Sequence, residues 1–176
     1  MQCKTPQEIY QETRPKDWMP MPEPKDNELY LLMCIEDVES TELEFVIRGN
    51  SDYSIVVGDT YDEELYQYSH DTVKGYERHI IKLSTVVFRY RLANRPTQVM
   101  IRISGKNLSE ILFLKFNDCA ILEIRGRLPK FEYMNCAYSK KLSYFMLEGE
   151  NKIESTDCMF DHCKSLIAVL ELTQNM

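Results

Sequence analysis

Short runs of apolar residues, broken by turn clusters, fill the first hundred positions of the chain. Leu43-Glu-Phe-Val-Ile47, Leu65-Tyr-Gln-Tyr68 and Thr97-Gln-Val-Met-Ile-Arg-Ile103 alternate with a period of two, the pattern of strands with one buried face. Tyr53-Ser-Ile-Val-Val57, His79-Ile-Ile-Lys-Leu83 and Val86-Val-Phe-Arg-Tyr90 are further strand candidates. Leu29-Tyr-Leu-Leu-Met-Cys-Ile35 is apolar throughout and reads as a buried strand. Arg48-Gly-Asn-Ser-Asp52, Gly58-Asp59-Thr60 and Ser104-Gly105 punctuate these runs as turns. Residues 66–79, with His70 and Gly75, read as an irregular connection. No helix of three or more turns carries a cap at both ends. Short strands with turns between them predict a β-sandwich over residues 28–105.

The pattern changes after Gly105. Leu108, Ile111, Leu112, Leu114 and Phe116 open a second apolar series. Cys119, Cys136 and Cys163 then each precede a leucine that begins an apolar run. The leucines are Leu122, Leu142 and Leu166, spaced by 20 and 24 residues. This is the period of a leucine-rich solenoid, in which each coil supplies one short strand to a stacked core. The expectation is a short solenoid over residues 106–176. The three leucines would point inward at equivalent positions, and the three cysteines would form a ladder beside them. The run Leu166 to Leu172 ends near the last residue given, with little polar sequence to cap it, so the expectation is either a partner that covers that end or a shortened member of a longer architecture.

Residues 1–27 hold five of the seven prolines, Pro6, Pro15, Pro20, Pro22 and Pro24. Proline removes backbone donors and pushes its predecessor toward extended geometry, so this segment is expected to be an extended arm without regular secondary structure. It also carries the only tryptophan, Trp18, flanked by Met19 and Met21. One reading folds Trp18 back onto its own domain. The preferred reading is an arm that anchors on a neighbouring subunit through Arg14, Asp17, Trp18, Met19 and Met21, because a tryptophan in an extended segment makes a good buried anchor.

A net charge of −7 argues against general nucleic-acid or lipid-surface binding, which needs a basic footprint. The six cysteines lack CxxC spacing and read as free, buried thiols of a reducing compartment, with no disulfide needed. Cys158, His162 and Cys163 supply at most three zinc ligands where a structural site wants four. Asp59, Asp62 and Glu63 lack the spacing of a calcium loop. His70, His79 and His162 stand at no recognisable spacing to a nucleophile. Gly58 and Gly105 are isolated and form no phosphate loop. No enzyme activity, cofactor, metal or membrane contact is expected. The first ten residues have no apolar core of a signal peptide, which suits a protein made and kept in the cytosol until assembly.

Arg14-Pro-Lys-Asp-Trp18, followed by Met19-Pro20, resembles the RPxDWxxxP lead-in of a group of bacteriophage virion proteins and related BspA-like leucine-rich surface proteins. In that group the lead-in precedes a PKD-like β-sandwich. Its marker elements correspond here to residues 52–59, Tyr68-Ser-His70 and Thr97 to Ile103. Val56-Val57 stand where the group has Asp-Trp, and Thr60 stands where it has the next glycine. Cys158-Met-Phe-Asp-His-Cys163-Lys-Ser-Leu166 matches the group's MFxxCxSL repeat. The resemblance implies a structural virion protein of a neck, collar, tail or decoration, docked by its arm on other virion proteins as a homo-oligomer. The alternative is a recognition module, an adhesin or fibre domain that binds a host-surface glycan or protein.

Overall fold

The computed structural model describes residues 4–35, 42–48, 53–58, 68–73, 76–82, 97–106, 108–117, 119–129, 131–149, 153, 156 and 158–170. The fold is mainly β, with two sheets and one short helix among the described residues. The helix, α1 (Pro6–Thr13), lies where no regular structure was expected. Its cause is local. The Thr5 side chain accepts from the Glu8 N–H at 3.2 Å, and the Glu8 carboxylate accepts from the Thr5 N–H at 2.7 Å. This reciprocal capping box starts the helix, and Pro6 sits in its first turn, where a missing N–H costs nothing. Pro6, counted as a breaker, is a starter.

Among the described residues eleven strands follow: β1 (Glu28–Ile35), β2 (Glu42–Arg48), β3 (Tyr53–Gly58), β4 (Tyr68–Val73), β5 (Tyr76–Lys82), β6 (Thr97–Gly105), β7 (Glu110–Asn117), β8 (Cys119–Arg127), β9 (Tyr133–Asn135), β10 (Tyr144–Leu147) and β11 (Ala168–Leu170). The first sheet runs β11-β10-β8-β1-β6-β3 and the second β4-β5-β2-β7-β9. Most of residues 66–79, read as irregular, is thus the β4–β5 hairpin, paired from Tyr68↔Ile81 to Val73↔Tyr76. Its polar Tyr68-Ser-His-Asp-Thr carries no apolar run to betray a strand. The candidate Val86 to Tyr90 lies outside the described residues, as do Leu65 to Gln67.

Leu29, Leu31, Met33 and Ile35 of β1 point into the main core, with Phe45, Ile101, Ile111, Ile124 and Phe145. That core does not divide at residue 105. β7 pairs antiparallel with β2, and β8 pairs antiparallel with β1, so both strands belong to the sandwich. Gly126 in β8 permits the close approach to β1: a Cβ there would lie 2.6 Å from Leu29 Cδ1 and 3.0 Å from the Glu28 carbonyl oxygen.

Beyond β8 the pairing turns parallel. β9 adds to β7, β10 adds to β8, and β11 adds to β10. Glu123, Tyr144 and Ala168 stand in register across three strands, as do Ile124, Phe145 and Val169. The turns before β10 and β11 match. Ser139 N–H donates to Cys136 O at 3.1 Å and Cys163 N–H to Phe160 O at 3.0 Å. Leu142 N–H donates to Ser139 O at 3.0 Å and Leu166 N–H to Cys163 O at 3.3 Å. Two bonds join the turns, Cys136 N–H to Met159 O at 2.9 Å and Tyr138 N–H to Asp161 O at 2.8 Å.

These turns revise the expected ladder. Cys163 corresponds to Ser139, not to Cys136, whose counterpart is Phe160. Cys136 lies in the main core, and Cys163 reaches it from the next turn, its Sγ 3.1 Å from Cys136 O. Of Cys119 only the backbone is described, opposite Ile35. Leu142 is fully buried in the main core and Leu166 packs against it. Leu122 does not join them. The β1–β8 register shifts between Leu32 and Met33, whose partners are Glu123 and Ile121, so Leu122 is the extra residue of a β-bulge. Ile121 takes the inward position, and Leu122 faces outward among Tyr30, Leu32, Cys34 and Met100.

Leu142→Ala leaves a cavity in a core that the neighbouring strands complete, and is expected to cost about 2–5 kcal/mol. Urea denaturation measures it, and a loss near zero would mean that β10 does not depend on this core.

Candidate functional site

The outer face of the first sheet carries the largest assembly of predicted functional residues. β1 presents Tyr30, Leu32 and Cys34 there, beside Met100 of β6 and Leu122 of β8. Exposed, this patch would be a large apolar surface of the sort that marks an interaction site. The arm covers it. Trp18, Met19 and Met21 pack on the cluster, so the tryptophan is anchored on its own chain. This corrects the expectation that these side chains are held for a neighbouring subunit. The physical reason lies in β1, whose outward residues are as apolar as its inward ones and need a cover that this arm supplies.

Glu123 of β8, fully buried, is the polar centre of the seam. Its Oε2 accepts from Arg14 Nε at 2.8 Å, and its Oε1 accepts from Tyr10 Oη at 2.6 Å. Arg14 also donates through its terminal nitrogens to the carbonyls of Trp18 and Met19, and its guanidinium lies 5.7 Å from the Trp18 ring centroid. Tyr144 of β10 meets Tyr10 edge-on at 5.2 Å and Trp18 at 6.0 Å, and its hydroxyl lies 2.8 Å from Thr13 Oγ1. Met19 N–H donates to Gln98 Oε1 at 2.8 Å. Asp17 is itself exposed and joins the seam through its carbonyl, which accepts from Gln98 Nε2 at 3.2 Å. Farther along, Arg125 pairs with Glu23 of the arm and with Glu148, both at 2.7 Å.

This environment raises the Tyr10 phenol well above its ordinary value. Burial is the largest cause, followed by the hydrogen bond to Glu123 and that carboxylate's charge. Tyr30 is pushed up to about 12, by burial first and then by its bond to Glu28. The Cys136 thiol is raised by burial and by the neighbouring Cys163, and the Cys163 thiol by burial, so both stay protonated and unreactive at neutral pH. Cys34, Cys136, Cys158 and Cys163 are not in disulfides.

No family model, curated protein or solved structure matches this chain.

Other chemistry-bearing residues are placed as follows. His79 is buried, stacks on Phe45 at 5.4 Å and has its Nε2 2.6 Å from Tyr53 Oη. Tyr53 also donates to Glu77, so one phenol of the first sheet is tied to two side chains of the second. No local pattern of residues marks this cross-sheet clasp. Asp59, Asp62 and Glu63 lie outside the described residues, and of His70 only the backbone is described. Among the described residues no group of three or more His, Cys, Asp or Glu could hold a metal ion, and no helix is long and apolar enough to cross a membrane. An open cleft of about 600 Å³ lies between the ends of β1, β3 and β6, lined by Asp26, Asn27, Ser54, Ser104 and Lys106 among others.

Arg14→Ala strands the buried Glu123 carboxylate with Tyr10 as its remaining arm partner. It is expected to cost about 3–5 kcal/mol, as for other buried pairs broken on one side. Trp18 emission should shift to the red as the arm loosens, and an unchanged spectrum and melting curve would count against the seam.

The raised phenols give a second expectation. A tyrosine whose folded pKa exceeds its unfolded value of 10.0 contributes stability that is full below that pH. The contribution is lost as pH rises from there through the folded value. Thermal melts above about pH 10 should therefore show a falling stability, and Tyr10→Phe should flatten that slope.

Proposed function

We propose that this chain is a non-enzymatic structural component of an assembly of the bacteriophage-virion kind, and that it joins its neighbours through the open edge of its parallel strands. One observation carries the reading. β11 ends the first sheet with a strand partner on one side only among the described residues, and Ile167, directly before it, is 51% exposed. An unpaired edge presents free N–H and C=O groups to a further strand. The in-register stacking of β8, β10 and β11 and the two matching turns support a finer reading, a PKD-like sandwich continued by a short leucine-rich-repeat-like solenoid. A coil of that kind completes its core against the next coil, here one from a neighbouring subunit. The virion context rests on the lead-in and repeat resemblance. The arm bears on it directly, since α1 lies beside β11 and the rest of the arm straps the sheet that presents the edge.

Sedimentation across a concentration series tests the reading. The chain should self-associate, and Ile167→Asp should reduce association without lowering the melting temperature. In the dissociated chain the amides of β11 should exchange faster than those of β10. A chain monomeric at all concentrations, with β11 as protected as β10, has no edge to offer and overturns the proposal.

A second reading, a recognition module for a host-surface glycan or protein, is favoured by a different observation. Tyr138 is 63% exposed and stacks on His162 at the turn face rather than in the core.

A further inference from the structure

The two matching turns hold a feature that the core does not require. Tyr138 and His162 both occupy the left-handed region, with φ of 66° and 58°. A Cβ makes this conformation unfavourable, and glycine is the residue that ordinarily fills the third position of such a turn. Both positions nevertheless carry large side chains on the outside of the molecule, where no core packing rewards them. Backbone strain held at an exposed side chain points to a use for that side chain. The two rings lie 4.8 Å apart with an interplanar angle of 19°, forming a small aromatic platform. Two residues on, each turn carries an exposed lysine, Lys140 and Lys164. The one acid of the described turn residues is Asp161, whose carboxylate lies 3.5 Å from His162 Nε2.

We infer that this turn face binds an anionic polysaccharide chain. The inference rests on the recognition reading above and names its ligand class. The phenol and imidazole faces suit the C–H faces of sugar rings, and their polar edges can hydrogen-bond ring hydroxyls. Lys140 and Lys164, at matching positions of the two turns, suit carboxylates or sulfates repeated along a polymer. Charge complementarity is local: the chain as a whole carries −7, so an acidic polymer is repelled elsewhere and held at this face. An acidic peptide would use the lysines but has no need of the aromatic platform.

The test uses the full chain with polygalacturonate as the probe, neutral dextran as the control and poly-glutamate as the peptide polyanion. Polygalacturonate should bind in preference to both, and the binding should weaken with salt. The double variant Tyr138→Gly/His162→Gly should lose affinity by about tenfold or more, with a melting temperature equal to or above that of the parent, because glycine relieves the backbone. Lys140→Gln/Lys164→Gln should lose a similar factor with no change in melting. Unchanged binding in either variant overturns the proposal, as does failure of the parent to bind polygalacturonate. Equal binding of poly-glutamate overturns the glycan class while leaving a recognition surface. A lower melting temperature in the glycine variant with binding intact shows that the rings serve only the coil, and both readings of the face then fall.

Discussion

A carboxylate buried on the outer face of a sheet must be paired, and Glu123 is paired from the arm. Arg14 and Tyr10 both reach it, and Arg14 simultaneously holds the carbonyls of Trp18 and Met19. One charged contact therefore sets the path of the whole N-terminal segment. Once Arg14 is fixed, Trp18, Met19 and Met21 can settle only on the patch of Tyr30, Leu32, Cys34, Met100 and Leu122. The apolar contact supplies most of the favourable free energy, through area removed from water. The ion pair supplies register, because a slip of the arm would leave a buried charge alone. The same seam spans the change from antiparallel to parallel pairing, for Glu123 lies on β8 and Tyr144 on β10.

The β-bulge at Leu122 makes that seam possible. In a regular strand Leu122 and Glu123 would face opposite sides, and one of them would enter the main core. The extra residue lets both turn outward, the leucine to the apolar patch and the glutamate to Arg14, while Ile121 and Ile124 stay inside. A matching irregularity in β7, between the partners of Glu44 and Phe45, leaves Leu114 exposed. Both strands that carry the chain from the sandwich into its parallel extension are bulged. A bulge bends a strand and increases its twist, and here it stands where the pairing changes from antiparallel to parallel.

This explains what could be read from the residues and what could not. The alternation of residues 43–47 and 97–103 marked strands because each has a single buried face. The unbroken apolar run of residues 29–35 held a further signal: a strand apolar on both sides needs two covers, and the second cover was the arm. Reading the run together with Trp18 would have placed the arm on its own sheet. The capping box at Thr5 to Glu8 was also legible, and the prolines masked it. The leucine spacing pointed to Leu142 and Leu166, which share the main core, but included Leu122, because a bulge shifts a strand's faces without changing its composition. The Tyr53–Glu77–His79 clasp joins residues distant in sequence and left no local pattern. The segment Arg14 to Pro20 resembles a docking lead-in, but its arginine and tryptophan are used internally.

With the arm committed inside the chain, the two surfaces proposed for partners both lie on the parallel extension. A strand edge and a turn face differ in what they select. The edge of β11 offers backbone groups, which any extended segment can satisfy, so its specificity has to come from the shape of the adjoining coil and from Ile167. The turn face offers side chains at fixed intervals, and its specificity comes from their chemistry. The two can act together without interference, since stacking another coil on β11 would extend the rows begun by Tyr138 and His162 and by Lys140 and Lys164. Each added coil would then lengthen the face available to a polymer, and several weak contacts along one chain raise avidity without any new type of contact. If both proposals hold, assembly through the edge would set how many binding units the turns present.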